Sequence, residues 1–257
     1  DFSLAGRHSV VCGSTQGIGR AIAEAFAAAG SSVTLVGRNE DGLEQVRSAL
    51  TDADGQRHRT LCVDFSDWRA VQGVADRHAA EHGPVHVLIN NTGGPAAGFA
   101  VDAEPTDFLK GFEMHLACGQ SLVQAFAPGM REAGYGRVIN ISSWFAKSGV
   151  PNYGGYCASK AAVLAFTRSL ALEVASARVT ANAICPGTIV NTRMRDQVDE
   201  RNRLTGNPTA KERESVIPLG RVGQPEDIAG VAAFLISPEA DYMTGQALNV
   251  TGGLWMS

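Results

Sequence analysis

The sequence predicts an α/β fold, a single doubly wound parallel sheet of about seven strands with helices on both faces, over residues 1–257 as one domain. Three observations predict it. Short β-rich runs alternate with longer helical runs along the whole chain. Several short runs are continuously apolar, as parallel strands covered on both faces must be. No internal repeat, low-complexity tract or linker divides the chain.

The elements follow in order. Ser9–Cys12 reads as the first strand, and Ile18–Ala29 as a helix stopped by Gly30 at its C′ position. Ser32–Val36 and Glu40–Leu50 form the next strand–helix pair, and Arg59–Val63 with Asp67–His82 the third. Strand Val85–Asn90 leads to a long helix over Glu104–Glu132. Strand Arg137–Ser142 leads to a helix over Tyr153–Ser176. Val179–Ile184 is the sixth strand. A helix over Pro225–Leu235 opens with Pro225, Glu226 and Asp227, which suit its first turn, and Ala247–Val250 closes the sheet. Ligands of such sheets bind outside the carboxyl ends of the strands, so chemistry is expected there.

Composition narrows the function classes. Of 257 residues 44% are hydrophobic and 19% charged, which suffices for a sizeable core. The net charge of −4 gives no basic excess to neutralise phosphates, so no nucleic-acid partner is expected. No apolar run reaches membrane-spanning length, so no membrane partner is expected either. The five cysteines, Cys12, Cys62, Cys118, Cys157 and Cys185, form no CxxC pair. They read as buried reduced thiols of a cytoplasmic protein, and no metal is expected. Asp1–His8 lacks a charged-then-apolar leader pattern, and a chain that starts without Met is expected to have a few residues before it.

The first strand runs into Gly13-Ser14-Thr15-Gln16-Gly17-Ile18-Gly19 and then an alanine-rich helix. Glycines allow a tight turn and close backbone approach, and a helix N-terminus offers free N–H groups to a pyrophosphate. The spacing is GxxxGxG, not the commoner GxGxxG. The second strand is followed by Arg38, where an NAD site would carry an acidic side chain for the ribose hydroxyl. A guanidinium pairs with a 2′-phosphate, so NADP(H) is the expected cofactor. Glu40 or Asp41 would reach the ribose if the loop folded differently, which leaves NAD(H) open. Asp64, beside Phe65 after the third strand, either accepts a bond from an adenine amino group or caps the helix near Asp67. Asn90-Asn91-Thr92-Gly93-Gly94-Pro95 ends the fourth strand with small and amide residues that let backbone pass close to a ribose.

The fifth strand ends at Ser142-Ser143, and Tyr156 and Lys160 stand i,i+4 on the next helix, sharing a face. A free phenol titrates near 10, so a nearby ammonium is expected to lower it, and Lys160 is placed to do so. Ser143 is placed to hydrogen-bond a substrate oxygen against Tyr156. Tyr153 competes as a tyrosine, but four residues on stands Cys157, which supplies no cation.

Together these motifs resemble the short-chain dehydrogenase/reductase superfamily nearly end to end: Gly13–Gly19, Asn90–Gly93, Ser143, Tyr156–Lys160, Pro186-Gly187 and Asp241–Gly245. The resemblance implies a Rossmann-type domain that occurs as homotetramers or homodimers and exchanges a hydride between an alcohol or ketone carbon and a nicotinamide. It assigns Tyr156 as acid/base, Lys160 to ribose binding and phenol activation, and Ser143 to substrate orientation. It puts Asn91 and Gly93 near the cofactor ribose, and Pro186, Gly187, Ile189 and Thr192 on the nicotinamide side. Many members carry an asparagine that orders a water in a proton relay; His115 stands there, in Glu113-Met114-His115-Leu116, either as a modified relay or as packing. Thr92-Gly93-Gly94-Pro95 replaces the commoner Asn-Ala-Gly and is expected to reshape the substrate pocket wall.

Residues of about 190–217 correspond to the family's substrate lid. There Arg193, Arg195, Arg201, Arg203, Lys211 and Arg213 interleave with acidic side chains, as a solvated mixed-charge helix or as a site for an anionic substrate. Trp144 and Phe145 line the pocket or the core, and Leu254-Trp255-Met256 packs at a subunit contact or over a neighbouring site. The resemblance implies two substrate classes, a 3-oxoacyl thioester reduced with NADPH or a sugar or polyol oxidised with NAD. A nucleotide-binding sensor or scaffold with little catalysis is the reading from a different class.

Overall fold

The structure is a computed structural model that describes residues 3–94, 100–205 and 208–257. Seven parallel strands form one sheet: β1 (His8–Cys12), β2 (Ser32–Gly37), β3 (Arg59–Cys62), β4 (Val87–Asn90), β5 (Gly136–Ile141), β6 (Val179–Pro186) and β7 (Ala247–Val250), in the order β3-β2-β1-β4-β5-β6-β7. The chain winds outward from β1 to β3, then returns to place β4 on the other side of β1. The carboxyl ends of β1 and β4 therefore flank the crevice where strand order reverses.

Among the described residues eight α-helices connect the strands: α1 (Gly17–Ala28), α2 (Glu40–Ala49), α3 (Trp68–His82), α4 (Pro105–Phe112), α5 (Cys118–Glu132), α6 (Gly154–Val174), α7 (Arg193–Thr205) and α8 (Pro225–Ile236). The apolar strands serve both faces by alternation. Val11, Val87, Ile89, Ile139 and Ile184 pack with α1, α2 and α8, while Val10, Leu88, Val138 and Ala181 pack with α3, α5 and α6. Gly30, at φ +93°, closes α1. Its N–H and that of Ser31 bond back to the carbonyls of Ala27 and Phe26. In α8, Gln224 and Asp227 form a reciprocal capping box ahead of Pro225.

Element edges differ from the sequence reading by a residue or two, with one larger difference. The helix expected over Glu104–Glu132 is split. Between α4 and α5 the chain makes a π turn over Glu113–Ala117, which carries His115. The helix after β3 is capped by Asp67, whose Oδ1 accepts from the N–H groups of Arg69 and Ala70; Asp64 instead accepts from Ser66 N–H. The cysteines are all free; Cys12, Cys118 and Cys185 are buried, but Cys157 at the start of α6 is half-buried and Cys62 is exposed because it ends the edge strand β3, which corrects the expectation that all five are buried. Among the described residues no helix is long and apolar enough to cross a membrane.

Candidate active site

The glycine turn between β1 and α1 is shaped by close approach. A Cβ on Gly13, at φ +62°, would lie 2.5 Å from the Asn91 carbonyl oxygen, and one on Gly19 would run into the Gly13 carbonyl. Only bare backbone fits, and it draws the ends of β1 and β4 together. Asn91 Nδ2 completes the joint by donating to the Cys12 carbonyl at 3.1 Å. Helix α1 starts at Gly17 from the extended Gln16, which makes no side-chain cap, and carries no acidic residue in its first turn. Its first N–H groups thus point into the crevice without a carboxylate to compete for them. Ser14 is buried, Ile18 packs on the core beneath α1, and the Thr15 methyl faces Gly37 at the end of β2. Arg38 is largely exposed next to that end, 4.0 Å from the Asp64 carboxylate. Phe65, beside Asp64, packs on the α3/α5 side of the core.

Beyond β6, Pro186-Gly187 passes against β7: a Cβ on Gly187 would sit 2.8 Å from Thr251 Cα. Ile189 is buried in a bridge to Gly223. Thr192, just before α7, packs its methyl on Gly17, so the chain after β6 reaches back to the glycine turn.

The second half of the site lies at the ends of β4 and β5 and the start of α6. Lys160 is buried and its Nζ donates to the Ile141 carbonyl at 2.9 Å. Burial lowers its pKa to about 7. Tyr156 stands one turn earlier, with Lys160 Nζ 5.8 Å from the ring centroid. Its hydroxyl is within hydrogen-bond reach of Ser143, whose Oγ also accepts from the Phe145 N–H at 3.2 Å. Burial pushes the phenol up to about 12, against opposing effects of the Ser143 bond and the Arg195 charge. This corrects the sequence expectation. Among the protein's own groups the phenol is held protonated, because desolvation outweighs the Ser143 bond and the Arg195 charge, and Lys160 is not among the groups that lower it.

His115 is buried and bonded at both ring nitrogens. Nδ1 meets Ser159 Oγ at 2.9 Å and Nε2 meets the Gly93 carbonyl at 2.8 Å. Its ring stands edge-on to Tyr156, 5.6 Å between centroids. Burial, with the nearby Lys160, holds the imidazole well below its ordinary pKa. Asn90 donates to Asn140 at 2.8 Å, and Asn140 to Thr167 at 2.8 Å, so a buried amide chain ties β4, β5 and α6 beneath the site.

Several contacts were not legible in the sequence. Gly94 lies so close to the Tyr156 ring that a Cβ would fall 2.7 Å from Cε2, and Met194 of α7 covers the same spot. Pro95 of that turn, with Gly206 and Asn207 of the lid, lies outside the described residues. Tyr153 is engaged by the lid: Arg201 of α7 donates to its hydroxyl. Phe145 packs edge-on against both Tyr153 and Tyr156, and Trp144 stacks near Trp255 of the C-terminal segment, centroids 6.1 Å apart.

A family model described as Enoyl-(Acyl carrier protein) reductase matches residues 13–255. The chain is a short-chain dehydrogenase/reductase. As such it is an oxidoreductase. It is 32% identical over 255 residues to the 3-oxoacyl-[acyl-carrier-protein] reductase FabG of Haemophilus influenzae, covering 99% of this chain and 100% of that one. Among solved structures it resembles one described as a putative NAD(P)-dependent gluconate 5-dehydrogenase from Beutenbergia cavernae with bound NADP (36% identity, TM-score 0.88, 98% of each chain). It also resembles the L-sorbose reductase of Gluconobacter frateurii complexed with NADPH and L-sorbose (30% identity, TM-score 0.91, 100% of this chain and 99% of that one).

Proposed function

We propose that this short-chain dehydrogenase/reductase is an NADP(H)-dependent ketoreductase interconverting a ketone and a secondary alcohol, with a 3-oxoacyl or similar carbonyl compound as substrate. The observation that carries the reading is the meeting of Ser143, Tyr156 and Lys160 at the carboxyl end of the sheet, across the crevice from the glycine turn.

The residues present fit a dinucleotide. The turn that no Cβ can enter at Gly13 or Gly19, and the uncapped N–H groups opening α1, suit a pyrophosphate. The exposed Arg38 guanidinium, only loosely paired at 4.0 Å, suits a 2′-phosphate. Asn91 and Gly93 border the ribose side, and Ile189 and Thr192 the nicotinamide side. When bound, the nicotinamide supplies the hydride. Ser143 holds the substrate oxygen, and Tyr156, kept protonated by burial, delivers its proton to that oxygen as negative charge develops on it. The Ser143 bond and the Arg195 charge then favour the phenolate left behind. Lys160, moved to about 7, needs little to exchange its proton near neutrality. The reading carries with it a cytoplasmic homo-oligomer, a tetramer or a dimer.

The likeness to proteins named for gluconate and L-sorbose favours a second substrate class on the same chemistry, a keto-sugar or polyol. One panel tests both. Loss of NADPH absorbance is followed with a 3-oxoacyl thioester, a keto-sugar and simple ketones. We expect turnover that falls by about 10²–10⁴-fold in Tyr156→Phe. Tight NADPH binding with no turnover of any carbonyl would refute the reading and leave a sensor.

A further inference from the structure

The π turn at Glu113–Ala117 puts His115 between two parts of the site, the turn after β4 and the start of α6, and bonds it to both. The hydrogen bonds and burial together set the state of the ring. A backbone carbonyl can only accept, so the 2.8 Å contact with Gly93 requires a proton on Nε2. The ring is neutral, since burial and Lys160 both oppose a second proton. Nδ1 therefore carries a lone pair and must accept from Ser159, whose hydroxyl has one proton to give. Ser159 Oγ also lies 3.0 Å from the Tyr156 carbonyl, but a bond there would leave Nδ1 orphaned in a buried site. With both nitrogens so used, the ring offers no free lone pair and no free proton to a relay.

What the ring does hold is position. Gly93 is fixed by His115, and Thr92 Oγ1 donates to the Met114 carbonyl of the same π turn at 3.3 Å. The next residue, Gly94, rests directly on the Tyr156 ring. A shift of the turn would thus open or close the wall beside the phenol. We propose that His115 is a positioning residue, a two-ended hydrogen-bond clamp that seats the Asn91–Gly94 turn on α6 beside Tyr156 and carries no proton. The inference rests on the reading of Tyr156 as proton carrier and assigns His115 a role other than that of the water-ordering asparagine of its relatives.

The test has two arms. In the first, ring ¹⁵N spectra of the intact protein are recorded from about pH 5 to 9, the range in which an ordinary histidine titrates. We expect His115 to remain the neutral Nε2–H form throughout; a Nδ1 resonance that titrates in this range overturns the clamp. In the second, His115→Gln keeps one donor and one acceptor but cannot titrate, whereas His115→Leu has neither. We expect His115→Gln to keep kcat within about threefold with the parent's pH profile. His115→Leu and Ser159→Ala should lose about tenfold in kcat, the equivalent of one buried hydrogen bond. A His115→Gln enzyme whose pH profile loses a limb would show that the imidazole passes protons and would sink the proposal. Parental turnover in Tyr156→Phe would instead remove the site reading, and the ring spectra would still decide the clamp.

Discussion

Acid should destabilise this protein in part through a histidine cluster away from the active site. His8 of β1 and His78 of α3 are buried at the amino end of the sheet. His8 Nε2 lies 2.8 Å from Thr34 Oγ1 and 3.3 Å from His78 Nε2. His86, His82 and Arg59 face the pair, and burial together with these neighbours lowers His8 to about 3 and His78 to about 4 from 6.5. Both are neutral when folded and take up protons when unfolded. Their contribution is therefore complete above pH 6.5 and is lost as pH falls toward 4 and then 3. From pH 6.5 to 5 each loses about 1.4 kcal/mol per unit over about 1.5 units, or about 2 kcal/mol. Because the His8 shift includes the charge of His78, the two together lose about 3–4 kcal/mol. For a chain of this length that lowers Tm by roughly 6–15 °C. The carboxylate Asp227, held at about 2 by Arg221, titrates below this window and does not confound it. The assay is thermal unfolding by circular dichroism at pH 7.5 and 5.0, on the parent and on a His8→Gln, His78→Gln double variant. A double variant with the parent's full pH-dependent drop in Tm would refute the reasoning, whatever its absolute stability.

Two further outcomes follow from the nucleotide half. Gly19→Ala forces a methyl into the Gly13 carbonyl, so NADPH affinity, measured by fluorescence titration, should fall at least tenfold, with a stability loss of about 1–3 kcal/mol. Arg38→Gln should weaken NADPH by about tenfold or more and leave NADH unchanged, as the loss of a charge-assisted bond predicts; equal effects on both cofactors would assign Arg38 elsewhere.

The strands and most helices were legible because burial on both faces imposes continuous apolar runs, and Gly30 and Pro225 punctuate them locally. The π turn was not. One extra residue in a helical hydrogen-bond register leaves the apolar spacing of Phe112 to Leu122 almost unchanged. The glycine turn, Ser143, Tyr156 and Lys160 could be picked out because each ends a strand or opens a helix. Their electrostatics could not, since the rise of Tyr156 and the fall of Lys160 are set by desolvation, which depends on what packs over them. The partners of His115 lie 22 and 44 residues away, beyond any local pattern. Nor does any motif announce that Arg201 reaches Tyr153 or that Gly94 touches Tyr156.

The neighbouring indoles of Trp144 and Trp255 give the molecule an optical probe of its own. Of its three tryptophans, Trp144 directly follows Ser143 and lies near Trp255, while Trp68 opens α3 after the edge strand β3. Indole emission overlaps the absorption of a reduced nicotinamide. Filling the site should therefore quench the pair by energy transfer, and the dimming would report occupancy without a label.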